Sequence, residues 1–290
     1  MEKFCKDLNE DTESNRYQKW HEHRNAISDL FNEVFSVKGY VQRIGILGAG
    51  NCDDLDINFL SSKCDEIILF DIDLSSMEKA VSKLSDKVKK KITLVKVDLT
   101  NLNKFDFYIK FEEMVKENVS SKRIKRFLVE SASKLEMDNE NLESYYYSCD
   151  VVASSAIYTQ LVLNWLQETL KNFGNYTTKE FDEIVNDGGR YLTDRVVKQY
   201  NSELLKLVVE KGSLVIWADI LPVHPDEYNF FRMRNYSIDK NILNQYGLTF
   251  SIQGLKDIRD RANFNKWSNW IWDFSSNRGY ICIGCSANLL

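Results

Sequence analysis

The chain has 290 residues, 43% of them hydrophobic and 28% charged, and a net charge of −5. That is enough sequence for one large domain with a full core, in the composition range of ordinary water-soluble folds. The acidic balance argues against a general nucleic-acid surface; no stretch approaches the ~18 apolar residues of a membrane span, and the polar N-terminus is unlike a signal peptide, which predicts a cytoplasmic protein.

Residues 14–37 place Tyr17, Trp20, Ala26, Ile27, Leu30, Phe31 and Phe35 at helical spacing, and Lys38-Gly39 supplies a stop. Residues 1–40 are therefore expected as a helical N-terminal extension to a domain spanning 41–290. Ile44-Gly-Ile-Leu-Gly-Ala-Gly-Asn-Cys-Asp-Asp54 then reads as a buried strand running into a glycine turn. Gly48 and Gly50, lacking a Cβ, let backbone approach a ligand. A dinucleotide fingerprint would need a third glycine where Asp53 stands, and a carboxylate there would repel a pyrophosphate and compete for the helix N–H groups. A phosphate-free ligand with a positive centre, such as S-adenosylmethionine, avoids that conflict.

Residues 66–71 form a second apolar run ending on Asp71, about 20 residues past the glycines, where a carboxylate accepts both hydroxyls of a ribose. Helix Ser75–Leu84 follows, with Ser75 or Ser76 as its cap. A third run, Ile92–Asp98, also ends on an acid, suited to an exocyclic amine such as that of adenine. After a helix over Lys104–Val119, a fourth run, Cys149–Ser155, ends in Ser154 and Ser155, which leave room beneath a ligand. Tyr158–Phe173 reads as the next helix. Residues 174–211 are mostly helical, placed to act as a lid or acceptor platform, with Gly188-Gly189 permitting a hinge or break. Ser213–Asp219 is a fifth buried strand, and Trp267–Phe274 and Gly279–Cys285 make a terminal hairpin around Ser275-Ser-Asn-Arg278.

With these motifs in this order, the chain resembles the class I, Rossmann-like, S-adenosylmethionine-dependent methyltransferases from Ile44 to about Ser155 and again in the terminal hairpin. The resemblance implies an α/β, doubly wound, mostly parallel seven-stranded sheet with a terminal antiparallel hairpin. It also implies a cofactor set of Gly48, Ala49, Gly50 and Asn51 against the methionine part, Asp71 and Ile72 at the ribose, Asp98 and Leu99 at the adenine, and Ser154 and Ser155 beneath. Two positions depart from the family pattern: Ile46 replaces the acid two residues before the first glycine, and Cys52 replaces the third glycine. Asp53, Asp54 or Asp56 is left to hold the methionine amine.

Methyl transfer from a sulfonium chiefly needs alignment and exclusion of water, so no obligatory base marks the acceptor. Three sets of residues are candidates for facing it: Ser154, Ser155 and Tyr158; the Asp219–Pro225 loop with His224 between its two prolines; and Tyr17, Trp20, His21, His23 and Arg24 of the N-terminal helix. Tyr158 and His224 are the catalytic candidates, and a small molecule is the expected acceptor. Trp270 and Trp272 share a strand face suited to packing. Cys282-Ile-Gly-Cys285 lacks a second ligand pair and alternates across a strand, so it is expected in the core with no metal site. The basic clusters Lys87–Lys91 and Lys122–Arg126 read as solvated faces. The glycine turn and Asp71 alone also suit a nicotinamide-dependent oxidoreductase or a non-enzymatic nucleotide-binding module.

Overall fold

A computed structural model describes residues 1–9, 15–236 and 250–289. In chain order the elements are α1 (Glu2–Asn9), α2 (Arg16–Lys19), α3 (His21–Lys38), β1 (Val41–Leu47), α4 (Ile57–Ser61), β2 (Cys64–Asp71), α5 (Leu74–Ser82), α6 (Asp86–Lys89), β3 (Ile92–Lys96), α7 (Phe107–Lys116), α8 (Ser121–Lys134), β4 (Cys149–Ser155), α9 (Leu163–Phe173), α10 (Thr178–Glu183), α11 (Arg190–Leu207), β5 (Val208–Val223), α12 (Tyr228–Met233), α13 (Phe250–Arg259), β6 (Ala262–Ser275) and β7 (Arg278–Leu289).

The seven strands form one sheet in the order β3-β2-β1-β4-β5-β7-β6. β1 to β5 run parallel, while β7 pairs antiparallel with both β5 and β6. This is the doubly wound sheet with a terminal hairpin that the sequence led us to expect. The hydrophobic runs are buried on both faces because helices cover both sides. Leu214, Ile216 and Ala218 of β5 pack with α7 to α9, α11 and α13, whereas Val215 and Trp217 pack with α3 on the opposite side. Cys285 and Cys282 likewise fall into opposite layers.

Several boundaries differ from the sequence reading for local reasons. Residue 14, the expected start of the first long helix, lies outside the described residues, and Trp20 separates α2 from α3. α5 is capped by Asp73, whose carboxylate accepts from the Ser76 N–H, and not by Ser75 or Ser76. α11 stops at Leu207 because Val208 already pairs with Cys149; residues 209–212 bulge out before Ser213 resumes the ladder opposite Val151. α8, absent from the sequence reading, packs against the turn of π-helix at Ile184–Gly189 that joins α10 to α11. Gly188 sits at that contact, where a Cβ would come within 2.9 Å of Leu128 and 3.2 Å of the Lys125 backbone. It is a close-packing position in a π-helical turn through which the chain runs on into α11 without a break.

Candidate functional site

The parallel register brings the strand ends together. Leu47 lies beside Phe70 and Ser154, Asp71 beside Lys96, and Ser155 beside Trp217. The segments leaving β1 to β5 therefore converge along the carboxyl edge of the sheet, where open α/β sheets hold ligands.

A cleft runs along that edge. Its narrowest part, ≈ 80 Å³, is lined by Gly48, Gly50, Asp71, Ile72, Asp98, Leu99 and Ser155 from the expected set. Gly48 and Gly50 adopt φ of +73° and +49°, and Cys52 follows at +55°. Cys52 thus holds the left-handed conformation that explains why glycine suits this position in the family it resembles. Asp71 fixes the turn: Oδ2 accepts from the Gly50 N–H at 2.9 Å and Oδ1 from the Asp73 N–H at 2.9 Å. Burial nevertheless pushes its carboxyl up to about 6, because those bonds only partly replace water. Asp98 also braces its own loop, accepting from the Asn103 and Thr100 N–H groups and from the Thr100 hydroxyl.

Ala49 and Asn51 face an adjoining part of ≈ 100 Å³ together with Asp54. The three acids left open by the sequence separate cleanly. Asp53 is ion-paired to the Arg16 guanidinium at 3.0 Å, and Asp56 caps α4 through the Phe59 N–H. Asp54 alone of the three faces the cleft beside the glycine turn, and it accepts from the Ser155 hydroxyl at 2.7 Å. Burial pushes this carboxyl up to about 6 as well. The argument against a pyrophosphate shifts accordingly: Asp53 is neutralised by Arg16, while Asp56 occupies a helix N–H that a phosphate would need.

Other expected site residues lie elsewhere. Ser154 is fully buried, its hydroxyl 2.7 Å from that of Tyr200. Tyr158 is fully buried too, donating to Asn201 Oδ1 at 2.8 Å beneath α13. Both belong to the core, because their place on β4 and after it turns them toward the α11 layer. His224 is exposed and caps its own turn, accepting from the Asp226 N–H. None of the three lines the described cleft. Nor does any residue of 174–211, whose helices pack on α8 and the sheet instead of over the cleft.

The cover over the narrow part comes from α1, which lies within the expected helical extension of residues 1–40 but is not singled out by the sequence as a helix of its own. Cys5 and Asn9 roof the narrow part. Asn9 donates to Asp73 Oδ2 at 2.9 Å, and its amide oxygen lies 2.9 Å from where a Cβ on Gly50 would be. α1 has no fully buried residue, so it rests on few contacts. The signal for it was an eight-residue amphipathic pattern too short to stand out. On either side the cleft widens: a hollow of ≈ 460 Å³ beyond Asp98, and one of ≈ 590 Å³ at the ends of β5 and the β6–β7 hairpin. The second hollow is lined by Asp219, Thr159, Gln160, Trp272, Phe274 and Tyr280 among others, and Gln160 borders the narrow part too.

No protein-family model matches the chain, and no curated protein sequence does. Several solved structures are similar in chain trace. The N-methyltransferase NodS from Bradyrhizobium japonicum WM9, in complex with S-adenosyl-L-homocysteine, is 7% identical, with 92% of this chain and 86% of that one covered at a TM-score of 0.45. A SAM-dependent methyltransferase from Aquifex aeolicus is 10% identical, with 100% and 99% covered at 0.43. A putative methyltransferase from Bacillus halodurans C-125 is 8% identical, with 90% and 97% covered at 0.44. At identities this low, the function must be argued from the cleft's own geometry.

Proposed function

We propose that this chain is an S-adenosylmethionine-dependent methyltransferase acting on a small molecule. The observation that carries the reading is the convergence of a left-handed glycine turn, a buried Asp71 and a buried Asp54 on one acidic cleft. The donor set suits the ligand part by part. Asp71 has acceptor capacity for two vicinal hydroxyls beyond the N–H groups it already takes. Asp54 offers a carboxylate without a cation partner among the described residues to an ammonium. Leu99 and Ile72 supply apolar surface for a flat base, with Asp98 at its rim.

S-adenosylmethionine supplies an activated methyl group on a positively charged sulfur. The chain's own work is to hold and orient: Gly48 and Gly50 keep the floor low, the two carboxylates fix the ends, and α1 excludes water. The nicotinamide alternative shares Gly48, Gly50 and Asp71, but a dinucleotide must place its pyrophosphate where Asp54 and the Asp56-capped α4 stand.

Calorimetric titration with S-adenosylmethionine and S-adenosylhomocysteine tests the proposal. Micromolar binding that is lost in Asp71→Asn and Asp54→Asn supports it. Folded wild-type protein that gives no heat with either compound, and binds NADH instead, overturns it.

A further inference from the structure

The hollow of ≈ 590 Å³ has a built character that the cofactor reading leaves unused. Two strand irregularities shape it. β5 shifts register between Asp219 and Leu221, and β6 shifts between Trp272 and Ser275. Bulges of this kind re-aim side chains at the rim of a sheet. Here they leave Asp219 at the cleft with Trp272, Phe274 and Tyr280 beside it. The three rings pack on one another, with centroids 5.0 Å apart for Trp272–Phe274, 5.5 Å for Phe274–Tyr280 and 5.9 Å for Trp272–Tyr280. Trp20 stacks behind Phe274 at 5.3 Å. The wall is therefore preset.

Asp219 is the acid at this wall. Its only side-chain donor among the described residues is the Thr159 hydroxyl, at 3.1 and 3.3 Å from the two carboxylate oxygens. Two cations also line the hollow, and neither is paired with Asp219 among the described residues: Lys171 lies over the Phe181 ring, and Arg278 hydrogen-bonds Tyr280 at the edge of the wall. Glu168 adds a second acid from α9. A carboxylate without a cation partner, next to three π-faces, is complementary to a positively charged ligand and not to a neutral or anionic one.

We infer that this hollow is the acceptor subsite and that it takes an amine, held with its nitrogen on Asp219 and its organic part on the Trp272–Phe274–Tyr280 wall. This rests on the methyltransferase reading for its chemistry, though not for its binding. An amine arriving as an ammonium gives one proton to the Asp219 carboxylate. Its freed lone pair then forms the N–C bond, the bond from the methyl carbon to the sulfonium breaks, and that electron pair stays on sulfur. The product leaves as the methylated ammonium, and Asp219 returns its proton to water. Burial, which pushes the Asp219 carboxyl up to about 7, suits it to that exchange. Gln160, bordering both parts of the cleft, lies between donor and acceptor.

Phenethylamine and its neutral and anionic counterparts, phenethyl alcohol and phenylacetate, provide the test. Each is titrated calorimetrically into wild type and Asp219→Asn, with and without S-adenosylhomocysteine, at pH 8. The amine should bind wild type at least about tenfold tighter than the alcohol or the acid, and Asp219→Asn should erase that preference. The same variant should keep wild-type affinity for S-adenosylhomocysteine, which shows that it is folded. Equal binding of alcohol and amine, no binding of the amine, or an amine preference that survives Asp219→Asn would overturn the inference. The alcohol comparison needs no variant. An Asp219-dependent amine preference in a protein that ignores S-adenosylhomocysteine would instead overturn the cofactor reading and leave the amine subsite standing.

Discussion

Replacing Asp71 with asparagine separates its two roles, because they are expected to move in opposite directions. In the free protein the carboxylate is costly: burial lifts its pKa from 3.8 to about 6, so keeping it ionised at pH 8 costs about 3 kcal/mol. Asparagine removes that cost. It also leaves one N–H, from Gly50 or Asp73, facing an amide donor instead of an acceptor, at about 1–3 kcal/mol. The two effects nearly cancel. At about 3 °C per kcal/mol for a chain of this size, Tm should stay within roughly 5 °C of wild type. Ligand binding has no such offset. The charge-assisted bonds from two ribose hydroxyls give way to at most one neutral bond, a loss of about 2–3 kcal/mol, or about 30- to 150-fold in Kd. Calorimetry with S-adenosylhomocysteine and thermal unfolding of the same samples read both quantities. Unchanged affinity in a folded variant would refute the ribose assignment. A Tm drop beyond about 10 °C would show that bracing the turn is the main task of Asp71.

Both Asp54 and Asp71 have native pKa values raised to about 6, above the unfolded value near 3.8. The native state therefore holds these protons more tightly, and their destabilising effect is full above pH 6 and relieved as pH falls toward 4. Affinity for S-adenosylhomocysteine, which uses the ionised forms, should fall by at least about tenfold between pH 7 and pH 5; a flat calorimetric profile refutes this. Gly48→Ala forces a Cβ to within 2.9 Å of Ile157 and 3.3 Å of the Ser155 carbonyl at a φ of +73°, so it should lower stability by about 1–3 kcal/mol and weaken the ligand, read by urea unfolding and titration. Tyr158→Phe removes only the bond to Asn201, and is expected to cost about 1–2 kcal/mol in urea unfolding with ligand affinity unchanged. Deleting residues 2–9 removes the roof, so stopped-flow mixing should show faster association and faster release of S-adenosylhomocysteine.

What was legible in the sequence is what periodicity and turn chemistry control. Buried parallel strands need continuous apolar runs, and Ile44–Leu47, Ile67–Phe70 and Leu214–Ala218 carry them without interruption. A ligand-side turn needs residues that tolerate positive φ, and Gly48 and Gly50 announce it; Cys52, with the same conformation, does not. Asp71, which closes the second strand, falls on the cleft because strand ends are fixed by register, and Asp98 follows two residues past the end of the third. Side-chain direction just beyond a strand is a different matter. Ser154 and Ser155 are indistinguishable by type, yet one faces Tyr200 in the core and the other faces Asp54. Tyr158 is a candidate for the cleft by its place after the fourth strand, but the residues of that loop reaching the cleft are Ala156, Ile157, Thr159, Gln160 and Leu161.

The same reasoning explains why the sequence marks Asp219 only as the first residue of a candidate acceptor loop, Asp219–Pro225, and picks His224 of that loop as the catalytic candidate instead. Its importance comes from a bulge, and a bulge leaves no periodic signature when the flanking residues are apolar on both faces, as Ile220 and Leu221 are. The hairpin tells a similar story. Trp270 and Trp272 lie on one face, which favoured packing, and Trp270 is indeed held in the core, its indole N–H donating to His23 at 2.8 Å. Trp272 stacks on the same His23 with centroids 4.2 Å apart, and it also reaches the open hollow, because β6 shifts register directly after it. One residue thus anchors α3 to the sheet and walls the proposed amine subsite. A substitution at Trp272 is expected to disturb stability and acceptor binding together, whereas Phe274→Leu, further along the same strand and clear of His23, should weaken phenethylamine with a smaller loss of Tm. If Phe274→Leu left the amine's affinity unchanged while Asp219→Asn abolished it, recognition would rest on charge alone and the aromatic wall would be packing.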